Sequence, residues 1–186
     1  MLETIDINRV YSGRLFAVDA VVLRDEHGNR MQREVVRHPG AVAVVAVLRE
    51  GGAERLVLIR NHRVAVGRAL WEVPAGTLEA GEEPAAAAAR ELVEETGYRA
   101  GSVEPLGRFY TSPGFADELM HVFAADGLQW VGQRLQPEEA IEVHPVERER
   151  AIEMIAEGTI EDAKTIAAIF MWQRSRRGAV SGGRGP

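Results

Sequence analysis

The sequence predicts an α/β sandwich with an N-terminal β-hairpin extension, and three observations carry that reading. The run Ala41–Leu48 is apolar on both faces, as a central strand buried on two sides would be. A second such run, Leu56-Val57-Leu58-Ile59, lies within Arg55–Arg60. Pro84 then opens an alanine-rich helix that Gly97 stops. Strands interleaved with one central helix and followed by closing helices place helical layers against a sheet.

The elements follow in order. Within residues 10–25, Val18, Ala20 and Val22 alternate with Asp19. Asp25-Glu26-His27-Gly28-Asn29 is a turn signal, and Met31–Val36 returns as the second strand of a hairpin. Glu50-Gly51-Gly52-Ala53 turns the chain between the two apolar runs. Residues 61–82 carry Gly67, Pro74, Gly76 and Gly81, and read as loop with short strand pieces. After the helix over 84–96, strands are expected at 103–111 and 118–125. A polar segment, Asp126–Glu139, separates these from a strand at Ala140–Val146. Two helices close the domain, about 147–157 and 161–175, and the Gly- and Arg-rich end reads as disordered. The expected organisation is a strand and hairpin region over 1–38, a main domain over 39–175 and a tail over 176–186. No internal repeat is visible.

Composition limits the function classes. At 186 residues and 46% hydrophobic, the chain can bury a sizeable core. It has no apolar run long enough to span a bilayer. Met1-Leu2-Glu3-Thr4-Ile5-Asp6 has neither a basic n-region nor an apolar h-region, so export by signal peptide is not expected. Cysteine is absent, which excludes disulfides, thiolate nucleophiles and cysteine–zinc sites and fits a cytoplasmic location. A net charge of −6 argues against a broad basic surface for nucleic acid. A small anionic substrate remains compatible, because a few arginines and metal ions can hold one locally.

The chemistry concentrates on the helix over 84–96. Glu91, Glu94 and Glu95 fall at i, i+3 and i+4, so all three carboxylates project from roughly one side. Alone, such a trio reads as a solvated acidic face. Here it lies near the helix C-terminus, where the macrodipole disfavours anions, and a glycine-rich loop precedes it. A divalent cation would relieve the repulsion, and carboxylate oxygens suit Mg²⁺ or Mn²⁺.

Gly76, five residues, Glu82, seven residues, then Arg90-Glu91-Leu92-Val93-Glu94-Glu95-Thr96-Gly97-Tyr98 resembles the Nudix box at every fixed position, with Tyr98 in the last, usually aliphatic place. The resemblance implies a loop–helix–loop that binds divalent metal and hydrolyses a nucleoside diphosphate linked to another moiety. It also implies a mixed sheet between helices, an α/β/α sandwich. By the same resemblance Glu91 and Glu95 are metal ligands, Glu94 is a third ligand or water contact, and the Ala75 carbonyl is a further ligand. Arg90, four residues before Glu94, orients the carboxylates by an ion pair, and Glu82 has a supporting role.

Other segments narrow the substrate. Thr111-Ser112-Pro113-Gly114-Phe115-Ala116-Asp117-Glu118, with Leu58-Ile59-Arg60-Asn61-His62-Arg63 and Leu70-Trp71-Glu72-Val73-Pro74-Ala75-Gly76, resembles the ADP-ribose pyrophosphatase subgroup. On its own, Ser112-Pro113-Gly114 is also an ordinary tight turn. A diphosphate needs donors as well as metal, and Arg63 is the first candidate, Arg33 the second. In the subgroup the N-terminal hairpin is exchanged in a homodimer, which would bring Arg33 and Leu15 or Phe16 to the other copy's adenosine pocket. Surface charge and core packing are the competing roles for those residues.

The reaction expected is in-line attack of water on phosphorus, with charge spread over oxygens. The base must lie off the helix if its acids are all ligated, and Pro137-Glu138-Glu139-Ala140-Ile141-Glu142 supplies candidates. The resemblance favours Glu139. The candidate catalytic set is therefore Glu139, Glu94 and Arg90. The expected activity is hydrolysis of ADP-ribose to AMP and ribose 5-phosphate. Alternatives are another nucleoside diphosphate sugar such as GDP-mannose, or a non-catalytic ADP-ribose sensor.

Overall fold

A computed structural model describes residues 1–135 and 140–181, with side chains as far as Arg176. The chain forms two compact units, residues 1–40 with 109–120, and residues 41–108 with 121 onward.

The first unit is built on an antiparallel sheet of β1 (Glu3–Ser12), β2 (Ala17–Arg24) and β3 (Arg30–Arg37). The β2–β3 turn is closed by the Asp25 carboxylate, which accepts the backbone N–H of His27 at 2.9 Å and of Asn29 at 2.8 Å. Strand β1 has no counterpart in the sequence reading. Its pairing with β2 shifts between Thr4 and Asp6 and again between Arg9 and Tyr11, which breaks the two-residue alternation. Asp19 is buried and accepts hydrogen bonds from Arg9 and, at 2.8 Å, from Arg37. Arg37 also donates to Asp117 at 3.0 Å. Beside it, the Val36 N–H donates to the Phe115 carbonyl at 2.8 Å. The loop over 111–118 is thus fastened to β3.

The second unit holds β4 (Ala41–Glu50), β5 (Ala53–Arg63), β6 (Arg68–Glu72), β7 (Ala75–Thr77), α1 (Pro84–Thr96), β8 (Tyr98–Arg99), most of β9 (Ser102–Tyr110) and β10 (Leu119–Asp126), β11 (Gln129–Trp130), β12 (Ile141–Glu147), α2 (Arg148–Ala156) and α3 (Ala163–Ser181). The sheet order is β12-β5-β4-β10-β9, with β6 paired to β5 and β7 to β4. Every residue of Ala41–Leu48 is buried, as its two-sided apolar pattern requires. Val42, Val44, Ala46 and Leu48 pack with Ala87, Ala88 and Leu92 of α1. On the alternate positions, Ala43, Val45 and Val47 are equally buried, and α3 packs on β4 with Ile169 and Trp172 inside. The result is the α/β/α arrangement of a mixed sheet between helices.

Helix α1 begins with Pro84 at its first position and ends at Gly97, whose φ of 74° is left-handed and whose N–H reaches the Val93 carbonyl at 2.9 Å. A Cβ at Gly97 would also meet the Trp130 ring at 2.6 Å, so glycine is required there on two counts. Helix α3 continues to Ser181, beyond residue 176, where the composition suggests a disordered tail. Arg and Ala favour helix and the single Gly178 costs only about 1 kcal/mol there, so helical propagation is affordable.

Leu92 is fully buried between α1 and the sheet. Replacing Leu92 with Ala should lower stability by about 2–5 kcal/mol. Urea unfolding should show a lower midpoint at an unchanged slope; an unchanged midpoint would remove Leu92 from the core that supports the helix.

Candidate active site on helix α1

Strand β7 fixes the start of the site. Ala75, Gly76 and Thr77 pair with Ala43, Val42 and Ala41 of the buried central strand, so the loop's backbone is held by the sheet. The Ala75 N–H donates to Glu95 Oε2 at 2.8 Å, and Glu95 is itself buried. Gly76 is needed for space: a Cβ there would lie 2.0 Å from the Glu91 carboxylate carbon. That carboxylate therefore sits directly against the backbone of residue 76.

Arg90 organises the other acids. Its Nε and Nη2 donate to the two oxygens of Glu82, each at 2.9 Å. Its Nη1 donates to Glu91 Oε1 at 2.7 Å and to Glu94 Oε2 at 3.2 Å. The guanidinium beside Glu82 brings that carboxyl down to about 2 from its ordinary 4.5, and the carboxylates in turn raise the pKa of Arg90. The pair contributes its full stabilisation above the ordinary glutamate range and loses it as pH falls through about 2. Both groups are thus charged throughout the neutral range.

Among the described residues, no three acidic or histidine side chains converge on one point that could hold a metal ion. The Glu91–Glu94 pair is instead bridged by the cationic Nη1 of Arg90. The donor set still fits a hard divalent cation, because it consists of carboxylates and the Ala75 carbonyl. The contact shows that these two carboxylates accept a cationic partner.

The C-terminal end of α1 is tied to the segment after β11. The Arg134 N–H donates to the Glu94 carbonyl at 3.0 Å, and the Val131 N–H to the Gly97 carbonyl at 2.8 Å. Gln133 Nε2 donates to the Glu95 carbonyl at 2.6 Å. Glu139 lies outside the described residues.

The remaining candidates divide between the two units. Arg63, at the end of β5, donates Nε and Nη2 to Glu72 at 2.7 and 2.6 Å. Arg33, Phe16 and Ser112-Pro113-Gly114 belong to the first unit. Arg33 is exposed and donates to the Gln32 carbonyl at 2.8 Å; Phe16 is exposed beside Tyr11, 5.7 Å between ring centres. The Ser112 carbonyl accepts the N–H of Phe115 at 3.1 Å and of Ala116 at 2.9 Å, so the tripeptide does form a tight turn. Two participants have no role assigned from the sequence, Glu72 and Gln133. A lone glutamate inside the apolar stretch Ala69-Leu70-Trp71-Glu72-Val73 was the available signal for Glu72. Nothing in the sequence distinguishes Gln133.

Residues 37–169 match the family model of the NUDIX domain. An ADP-ribose pyrophosphatase of Bacillus subtilis (strain 168) is 41% identical over 169 residues, 90% of each chain. A methanol dehydrogenase activator of Bacillus methanolicus is 38% identical over 169 residues, again 90% of each. In fold, a crystal structure of an ADP compounds hydrolase agrees with a TM-score of 0.83, covering 96% of this chain and 95% of its own at 22% identity. The box built around Gly76, Arg90 and Glu91 lies within a domain-length match and in a chain with near-full-length relatives: this chain belongs to the Nudix family.

Proposed function

We propose that the chain is a metal-dependent ADP-ribose diphosphatase that yields AMP and ribose 5-phosphate. The observation that carries the reading is the Glu91 carboxylate seated on Gly76 with Arg90 bridging it to Glu94, on the same helix as buried Glu95. The substrate follows from the relative named for ADP-ribose hydrolysis at 41% identity.

Nudix hydrolases generally use divalent metals, and Mg²⁺ is our choice here, with Mn²⁺ as the alternative. Glu91, Glu95, Glu94 and the Ala75 carbonyl would hold the ion. When bound, it supplies charge neutralisation at the diphosphate oxygens and increases the acidity of water. Arg90 keeps the carboxylates in register, and the Ala75 N–H fixes Glu95. Arg63 donates to a diphosphate oxygen of the bound substrate. Glu139 takes the proton from the attacking water; this role rests on the family resemblance and its place in the sequence. Ser112, Pro113 and Gly114 are assigned to substrate binding on the family resemblance.

We place the enzyme in the cytoplasm as a homodimer with an exchanged N-terminal region, so that Arg33 and Phe16 reach the other copy's adenosine. In support, the N-terminal sheet leaves Ile7, Val10, Tyr11 and Leu15 each more than half exposed. Such an apolar stretch is the kind that a second copy covers.

Chromatography of the products formed with Mg²⁺ should show AMP and ribose 5-phosphate, with GDP-mannose turned over far more slowly; a preference for GDP-mannose would replace the substrate. Glu95→Gln should cost roughly a hundredfold or more in kcat in a folded protein, and Gly76→Ala should be comparably damaging through displaced Glu91. Near-normal turnover in either would remove the metal assignment. For the dimer, light scattering should report twice the chain mass, reduced by Val10→Asp. A wild-type monomer would end the cross-subunit roles.

A further inference from the structure

The hairpin of β5 and β6 buries a carboxylate that the chemistry above leaves unused. Glu72 is fully buried, and its oxygens receive Arg63 Nε at 2.7 Å, Arg63 Nη2 at 2.6 Å and Lys164 Nζ at 2.5 Å. Burial pushes the Glu72 carboxyl up, and the two cations more than offset that, leaving it below its ordinary value. Lys164 also pairs with Asp162 at 3.0 Å, so two acids and two bases form one neutral group. Asp162 accepts the Thr165 N–H at 3.0 Å, and Thr165 Oγ1 accepts the Val73 N–H at 2.9 Å. The group therefore fastens the start of α3 to the strand that leads into Ala75.

A buried ion cluster of this kind is a poor stabiliser, since apolar residues of similar volume commonly do as well or better. What it delivers is direction. A two-point carboxylate contact fixes the plane of a guanidinium, which a single contact to a lysine does not. The Arg63 side chain is 39% exposed, and its Nη1 has no hydrogen bond among the described residues. The same guanidinium feels the charge of Glu95, which accepts the Ala75 N–H. One edge of Arg63 is anchored on Glu72, and one nitrogen is left to donate.

We propose that Glu72 is a positioning residue for the substrate diphosphate: it holds the Arg63 guanidinium so that Nη1 donates to a diphosphate oxygen. This rests on the assignment of Arg63 as a diphosphate contact, and the test separates the two ideas. Steady-state kinetics on ADP-ribose with saturating Mg²⁺ would compare wild type, Arg63→Lys, Glu72→Gln and the double variant. Each single change should raise KM about tenfold or more with kcat little altered. The double variant should be no worse than Arg63→Lys alone, because Glu72 acts through Arg63. A loss of structure alone would lower the active fraction, and so kcat, at unchanged KM.

If Arg63→Lys raises KM and Glu72→Gln does not, the positioning role is wrong and the diphosphate contact stands. If neither single variant moves KM, the contact itself is wrong and the proposal falls with it. Multiplicative effects in the double variant also overturn it. Should Glu72→Gln fail to fold, the wild-type protein carries the test. In arginine side-chain NMR, the Arg63 Nε–H, assigned by its loss in Arg63→Lys, should exchange slowly with water, and added ADP should shift Nη1 far more than Nε. An Nε–H that exchanges like that of an exposed arginine overturns the proposal.

Discussion

Much of the site depends on one electrostatic constraint: four carboxylates, those of Glu82, Glu91, Glu94 and Glu95, must be held within a loop and the last turns of a short helix. The three on the helix repel at their spacing, and the helix dipole opposes them at its C-terminal end. A single guanidinium answers three of the four, with Glu82 gripped at two points and Glu91 and Glu94 sharing Nη1. Glu95 is buried, and its Oε2 accepts the Ala75 N–H. Arg90 can do this because its charge is permanent and its donors are fixed in a fork.

The fold around the helix serves that arrangement. The small face of α1, Ala87 and Ala88 with Leu92, seats it closely on the central strand, and the same strand pairs with β7 and so locates Ala75 and Gly76. Helix and loop are thereby referred to one rigid element. At the far end, Gly97 turns the chain under Trp130, and Gln133, Arg134 and Val131 satisfy the last carbonyls. Catalytic geometry of this kind tolerates little slack, which is why the acids sit on a helix and not on a free loop.

The sequence was most informative where one short-range rule dominates. Two-sided apolar runs marked β4 and β5, and Pro84 with Gly97 bounded α1, because burial and backbone geometry act residue by residue. The acidic cluster was legible from spacing, but its geometry was not: nothing in the sequence says that Glu91 would lie against Gly76 or that Glu95 would turn to Ala75. Strand β1 escaped notice because two register shifts disturb its alternation and nearly all of it is exposed. The ion group of Glu72, Arg63 and Lys164 joins residues 92 positions apart, a pairing that no local pattern encodes. Glu139 remains a reading from sequence.

The central claim is that Arg90 arranges the acids and does not merely neutralise them. Calorimetric titration of Mg²⁺ into wild type and Arg90→Met tests it most directly, because two effects have opposite sign. Removing a positive charge beside carboxylates should by Coulomb attraction alone tighten cation binding. If Arg90 sets their geometry, the folded Arg90→Met protein should bind Mg²⁺ more weakly than wild type; equal or tighter binding would contradict the account.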